Sequence, residues 1–228
     1  SCPGDRDPDT GLCLPLPPTP TDGACPPNWQ RHQLAELASG CTPRFTDRAC
    51  PADQRIAPGG CVPLTPTCDT LPTAAELSRR YDAPVTWLTP DADLQAAVDA
   101  APVGAVLAVP PGDYPGPLET AQDLTLVAPC HGARLLAPGE DDIAITVAAG
   151  HLRLDGLRIE AGGRGLHVEA TGELTARNLR VVGGRHSGLL NYGPTTLENV
   201  GLSGAGQVGV FALGPLTAID VTVLDALY

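Results

Sequence analysis

The chain contains no methionine and no lysine; its 14 basic residues are all arginine, set against 26 acidic ones for a formal charge of −12. With no basic run, that balance argues against nucleic acid and anionic lipid as partners. Aromatic residues make up only 4 %, so a core must be built from Val, Leu, Ile and Ala. No uninterrupted apolar stretch reaches the length of a membrane-crossing helix, and no membrane span is expected. A first residue other than methionine reads as a chain that has been processed or belongs to something longer. What the chain does have is apolar surface. At 43 % of 228 residues, it excludes wholesale disorder.

Residues 1–72 hold seven of the eight cysteines and fourteen of the 25 prolines. The composition shift at Leu71-Pro72 separates a loop-rich module, 1–72, from a β-rich body, 73–228. The module carries a weak repeat of Cys-Pro, a polar loop, then Cys-x-Pro. Its units begin at Cys2, Cys25 and Cys50 and close at Cys13, Cys41 and Cys61. The insertion in the middle unit, around Trp29 to Leu37, is expected to form a short helix. Segments this poor in apolar surface need covalent staples. The repeat favours Cys2–Cys13, Cys25–Cys41 and Cys50–Cys61, leaving Cys68 and Cys130 to tie the module to the body, although eight cysteines admit many other pairings. Zinc is the rival reading, but the close Cys spacing and clustered His of zinc sites are missing. Disulfides imply an extracellular or cell-surface location. Asp5, Asp7 and Asp9 alternate as in a calcium loop, but the glycine and distal glutamate of such a loop are absent, so they are a weak metal candidate. No cofactor is expected.

The body repeats itself. Units starting at His151, Glu173, Thr195 and Leu216 follow one another at 22, 22 and 21 residues. Leu157, Leu179, Val200 and Val221 coincide in this alignment, as do Ile159, Val181, Leu202 and Val223. A third apolar set, Leu166, Leu189 and Val210, follows Gly165, Gly188 and Gly209. Alternation within each unit is that of short strands. Three short strands per coil of about 22 residues specify a solenoid in which each strand pairs with its equivalent one turn on. Asn178, Asn199 and Asp220 share one turn position and are expected to form a polar ladder, each bonding to the copies above and below; the competing reading is independent turn residues facing solvent. Residues 91–101 have helix periodicity, with Asp91 or Asp93 as cap, and are expected to cover the open end of the solenoid.

The stretch from Asp93 to Val127, with Val106-Leu107-Ala108-Val109-Pro110-Pro111-Gly112-Asp113-Tyr114 and then Leu124-Thr125-Leu126-Val127, resembles the start of the right-handed parallel β-helix of the pectin-lyase-like superfamily. The stapled module followed by such a body is also similar to secreted proteins of GC-rich bacteria. The resemblance implies an all-β, right-handed parallel β-helix over about residues 85–228. It implies no single activity, because that fold hosts lyases, hydrolases, adhesins and inert surface proteins. Of the hydrolase signatures in the family, only an Asp-Asp pair is present, Asp141-Asp142, and it reads as a loop between coils.

If Leu166, Leu189 and Val210 face inward, His167, Leu190 and Phe211 face out, and Glu169, Tyr192 and Leu213 share that surface. Glu119 and Thr146 extend it into earlier coils. Glu119 and Glu169 would lie about 10 Å apart, two strand spacings. That is too far for a retaining glycosidase pair and marginal for an inverting one. The apolar and aromatic members instead suggest a contact surface for a ligand or partner. The last unit stops at Tyr228, about halfway round a coil, so either the natural chain continues or a second copy caps it. The expected function is therefore a non-catalytic extracellular structural or adhesive protein, a subunit of a cell-surface or filamentous assembly, with itself or cell-surface glycans as partner. The alternative is a binding protein, lyase or hydrolase for acidic polysaccharide.

Overall fold

The computed structural model describes residues 29–35, 38–43, 50–51, 54–57, 60–64, 66–90, 92–130 and 132–224. The chain divides into two compact units, Ser1–Ala49 with Ile56–Cys61, and Cys50–Arg55 with Val62–Tyr228.

In the first stretch, β1 (Trp29–Ala35) pairs antiparallel with β2 (Ala38–Pro43), so the short helix expected around Trp29 to Leu37 is not formed. An isolated helix of that length would be marginal in water, whereas a partner strand close by in sequence satisfies the backbone directly. A second hairpin joins β3 (Gln54–Ala57) to β4 (Gly60–Pro63) and is closed by the disulfide Cys50–Cys61. The disulfide Cys68–Cys130 has both cysteines in the second unit, so it fastens residues 66–70 to the solenoid's own segment 128–130 after β9. Cys2, Cys13, Cys25 and the Cys41 side chain lie outside the described residues, as do Asp5, Asp7 and Asp9.

The second unit is an all-β parallel solenoid of about seven turns. Helix α1 (Ala74–Tyr81) leads into β5 (Val85–Trp87), and α2 (Leu94–Ala100) follows. The next coil is β6 (Ala105–Ala108), β7 (Gly112–Pro115) and β8 (Leu118–Thr120). Then come β9 (Leu124–Val127), β10 (Ala133–Ala137) and β11 (Ile143–Val147). The fourth coil is β12 (Gly150–Asp155), β13 (Arg158–Ala161) and β14 (Arg164–Val168). From here two faces merge into one bent strand per coil: β15 (Gly172–Gly183) with β16 (Ser187–Asn191), β17 (Thr195–Ser203) with β18 (Val208–Ala212), and β19 (Leu216–Leu224).

Stacking puts like on like. On the first face Leu126, Leu154, Ala176 and Leu197 lie in register; on the second Tyr114, Leu135, Ile159, Val181 and Leu202; on the third Leu118, Ile145, Leu166 and Leu189. All of these are buried. Each such side chain contributes about 1.5–3 kcal/mol relative to exposure, so one coil gains several kcal/mol from three inward rows. Gly165 precedes the third-face row because the next coil passes so close that a Cβ would collide with the Gly188 carbonyl.

The two helices close different surfaces. In α2, the Asp93 side chain accepts from the Ala96 amide at 3.0 Å, and Leu94 and Val98 bury themselves over the first coil's core. Helix α1, which the hydrophobic pattern does not announce, opens with a Thr73–Glu76 capping box and packs Leu77 onto Val106, Ala108 and Val127 of the first face.

Candidate functional site

The third face, built from β8, β11, β14, β16 and β18, presents one outward residue per coil in a single register: Glu119, Thr146, His167, Leu190 and Phe211. Four strand spacings make this row about 19 Å long. Beside its distal half, Glu169, Tyr192 and Leu213 directly follow the paired residues Val168, Asn191 and Ala212. Tyr192, Phe211 and Leu213 are 42, 48 and 62 % exposed. Apolar groups that open to water, set along one straight row, form a surface able to make contacts.

At the proximal half, residues of α2 and of the loop Gly139–Asp142 join those of β8 and β11. They frame a groove of about 860 Å³ lined by Gln95, Asp99, Glu119, Asp141, Asp142 and Thr146, among others. Gln95 behaves as a substitute strand: its side-chain amide donates to the Glu119 carbonyl at 3.0 Å and accepts from the Glu119 amide at 2.8 Å. It also donates to Asp99 at 2.7 Å. The loop is tied down from the distal side, where Arg185 pairs with Glu140 and His186 lies 3.9 Å from Asp141. Asp142 accepts from the Gly139 amide at 3.0 Å, so its carboxylate is partly committed to the turn.

His167 is the joint between the two halves. Its Nε2 is 3.5 Å from the Glu169 carboxylate, and its ring meets that of Tyr192 with centroids 5.8 Å apart at 60°. Both ring nitrogens are shielded from water and neither has a hydrogen-bond partner. A neutral imidazole so placed leaves polar atoms unpaired.

The arrangement thus offers acceptors at one end, aromatic and aliphatic surface at the other, and a histidine between them. Glu119 and His167 are separated by two strand spacings, about 10 Å. Among the described residues no group of three or more His, Cys, Asp or Glu is placed to hold a metal ion. The Asp141–Asp142 pair stands in the loop before β11, where it lines the groove.

At another corner, Asn178, Asn199 and Asp220 share a left-handed backbone, with φ of 51°, 54° and 54°. Asn178 donates to Asp155 at 2.7 Å and Asn199 donates to Asn178 at 2.9 Å. Three residues lie outside the expected set: Gln95 and Asp99, whose i, i+4 spacing on the polar side of α2 is a signal in the sequence, and Arg55, which has none.

The fold and this face define a parallel β-solenoid with an amphipathic groove. No protein-family model, curated protein or solved structure matches the chain.

Proposed function

We propose that the chain is a non-catalytic, extracellular adhesive β-solenoid that holds an extended carbohydrate along its third face. One observation carries this reading: a groove lined by hydrogen-bonding side chains runs in register into exposed Tyr192 and Phe211. Sugars present hydroxyl donors on their edges and C–H faces that stack on aromatic rings, which suits that sequence of surfaces. The length of the row, about 19 Å, accommodates a short oligosaccharide rather than a single ring. The charge of −12 and the acids of the groove disfavour a polyanionic chain, so a neutral glycan fits best. The cystine-bonded Cys50, Cys61, Cys68 and Cys130 support an oxidising, extracellular setting. The segment Asp93 to Val127 further supports kinship with the pectin-lyase-like superfamily.

The acids around the groove favour a second reading, a polysaccharide-cleaving enzyme, with Glu119 as the group to test. Calorimetric titration with neutral and acidic oligosaccharides separates the two. Binding of neutral oligosaccharide without turnover, weakened about two- to tenfold in Tyr192→Ala (ring stacking is worth about 0.5–1.5 kcal/mol beyond area burial), is the expected result. Turnover abolished by Glu119→Gln would favour the enzyme. Concentration-dependent self-association that Phe211→Ser removes, with no sugar bound, would make the same face a contact between copies in a surface assembly or filament.

A further inference from the structure

The polar ladder is one donor short. Asn178 and Asn199 each accept on Oδ1 and pass a hydrogen bond on through Nδ2. The next position repeats the left-handed turn but is Asp220, whose ionised carboxylate has no N–H to donate. The coil above therefore leaves the Asn199 Oδ1 without its donor. A residue 144 positions away supplies it: Arg55 Nε donates to Asn199 Oδ1 at 2.6 Å. Another nitrogen of the same guanidinium lies 3.7 Å from the Asp220 carboxylate. The Arg55 side chain is only 10 % exposed, so this is an inserted group rather than a passing surface contact.

The solenoid makes room for it. On the outer side of the second face, Arg134, Arg158 and Arg180 stack in successive coils, and the next position in that register is Gly201. A Cβ at Gly201 would meet the Arg55 Cβ at 3.3 Å, so the vacant side-chain place is where Arg55 crosses. Arg180 also donates to the Gln54 carbonyl, which fixes the backbone of the crossing segment. The segment belongs to the hairpin closed by Cys50–Cys61.

We propose that Gln54–Arg55 is a strap, that Arg55 is a borrowed rung standing in for the donor Asp220 cannot provide, and that the Cys50–Cys61 bond keeps the strap closed. The pairing of a non-donating Asp220 with a side-chain-free Gly201 is what the strap explains. A self-sufficient ladder would carry a donor at 220 and have no need of a gap at 201.

Hydrogen exchange of the full chain, read on peptides covering residues 197–203 and 216–222, tests this. Arg55→Ala should accelerate exchange there about tenfold or more, as expected for a buried hydrogen bond to a charged group, and leave β9 to β12 unchanged. Asp220→Asn restores a side-chain N–H at the missing rung. In the Arg55→Ala background it should return exchange to the wild-type rate. Arg55 variants retain Cys50–Cys61 and Cys68–Cys130, so they report on the rung alone. Cys50→Ser/Cys61→Ser should reproduce the acceleration with Arg55 still present. Wild-type exchange in Arg55→Ala, or a double variant that exchanges as fast as Arg55→Ala, overturns the borrowed rung. Wild-type exchange in the cysteine variant overturns the disulfide's part in holding the strap.

Discussion

Asp155 accepts three hydrogen bonds at once, from Tyr81 Oη at 2.7 Å, Arg80 at 3.0 Å and Asn178 at 2.7 Å. It starts the ladder and at the same time anchors the end of α1. Tyr81 bears the consequence: partial burial, then the hydrogen bond and negative charge of Asp155, push its phenol well above the ordinary range. A raised folded pKa means that the folded state favours the protonated phenol. The resulting stability is full below the unfolded value near pH ~10 and is lost as pH rises through the folded value. We expect Tyr81→Phe to remove the late-titrating phenol from an ultraviolet absorbance titration and to flatten the alkaline decline in stability. Loss of a normally titrating phenol instead would contradict the assignment. At this scale the sequence was partly legible. Asn178, Asn199 and Asp220 stand at fixed repeat positions, because a sharp corner must be turned at the same place in each coil. Arg55 was not legible, since its partner lies 144 residues on and no local pattern encodes that distance.

Elements were legible where repetition was strict. From His151 onward the coils differ by at most one residue in length, so stacking requires equivalent residues and the strands can be aligned by eye. Earlier coils are irregular: Ala105 pairs with Leu124, 19 residues on, while Leu124 pairs with Leu152, 28 residues on. The excess lies between β9 and β10 and in the groove-forming loop at 139–142, which periodicity does not reveal. Helix α1 buries only Leu77, too little for a hydrophobic stripe, although its Thr73-Ala-Ala-Glu76 start is a capping-box signature. Helix α2 shows why the end helix is more than a lid. Strand β8 has β11 on one side only, and Gln95 hydrogen-bonds the backbone of Glu119 on the other. Gln95→Ala removes both bonds, with water replacing part of each, so a loss of about 1–2 kcal/mol is expected. Gln95→Glu keeps the acceptor, loses the donor and adds a charge beside Asp99, and it should not recover the wild-type value. Urea unfolding midpoints of the two variants decide this. Equal midpoints for wild type and Gln95→Ala would mean that Leu94 and Val98 alone hold the helix down.

For the whole molecule, the decisive property is that a solenoid is quasi-one-dimensional: each coil is stabilised by its neighbours, and stability need not be uniform along the axis. The described covalent tie on the solenoid itself, Cys68–Cys130, lies near the proximal end, 62 residues apart in sequence and with Cys130 buried. The polar ladder and the strap lie at the other end. Cross-linking acts mainly on the unfolded chain, so a single cooperative molecule would lose about 2–4 kcal/mol everywhere when the bond is removed. A chain of semi-independent coils behaves differently. Removing the bond frees residues 66–70 from the segment 128–130, and the coils from β5 to β10 lose their restraint while those from β15 to β19 keep the same neighbours, ladder and rung. We therefore expect Cys68→Ser/Cys130→Ser to raise hydrogen exchange over β6, β7, β9 and β10 while β15 and β17 retain wild-type protection. A uniform rise across all coils would show one cooperative unit instead. The third face runs between these ends, with the groove of α2, β8 and the 139–142 loop at its proximal half and exposed Tyr192 and Phe211 at its distal half. If local loosening is the outcome and the proposed glycan binds along the third face, the same variant should weaken its proximal contacts near Glu119 more than stacking on Tyr192, which would tie the stability gradient along the axis to the proposed binding face.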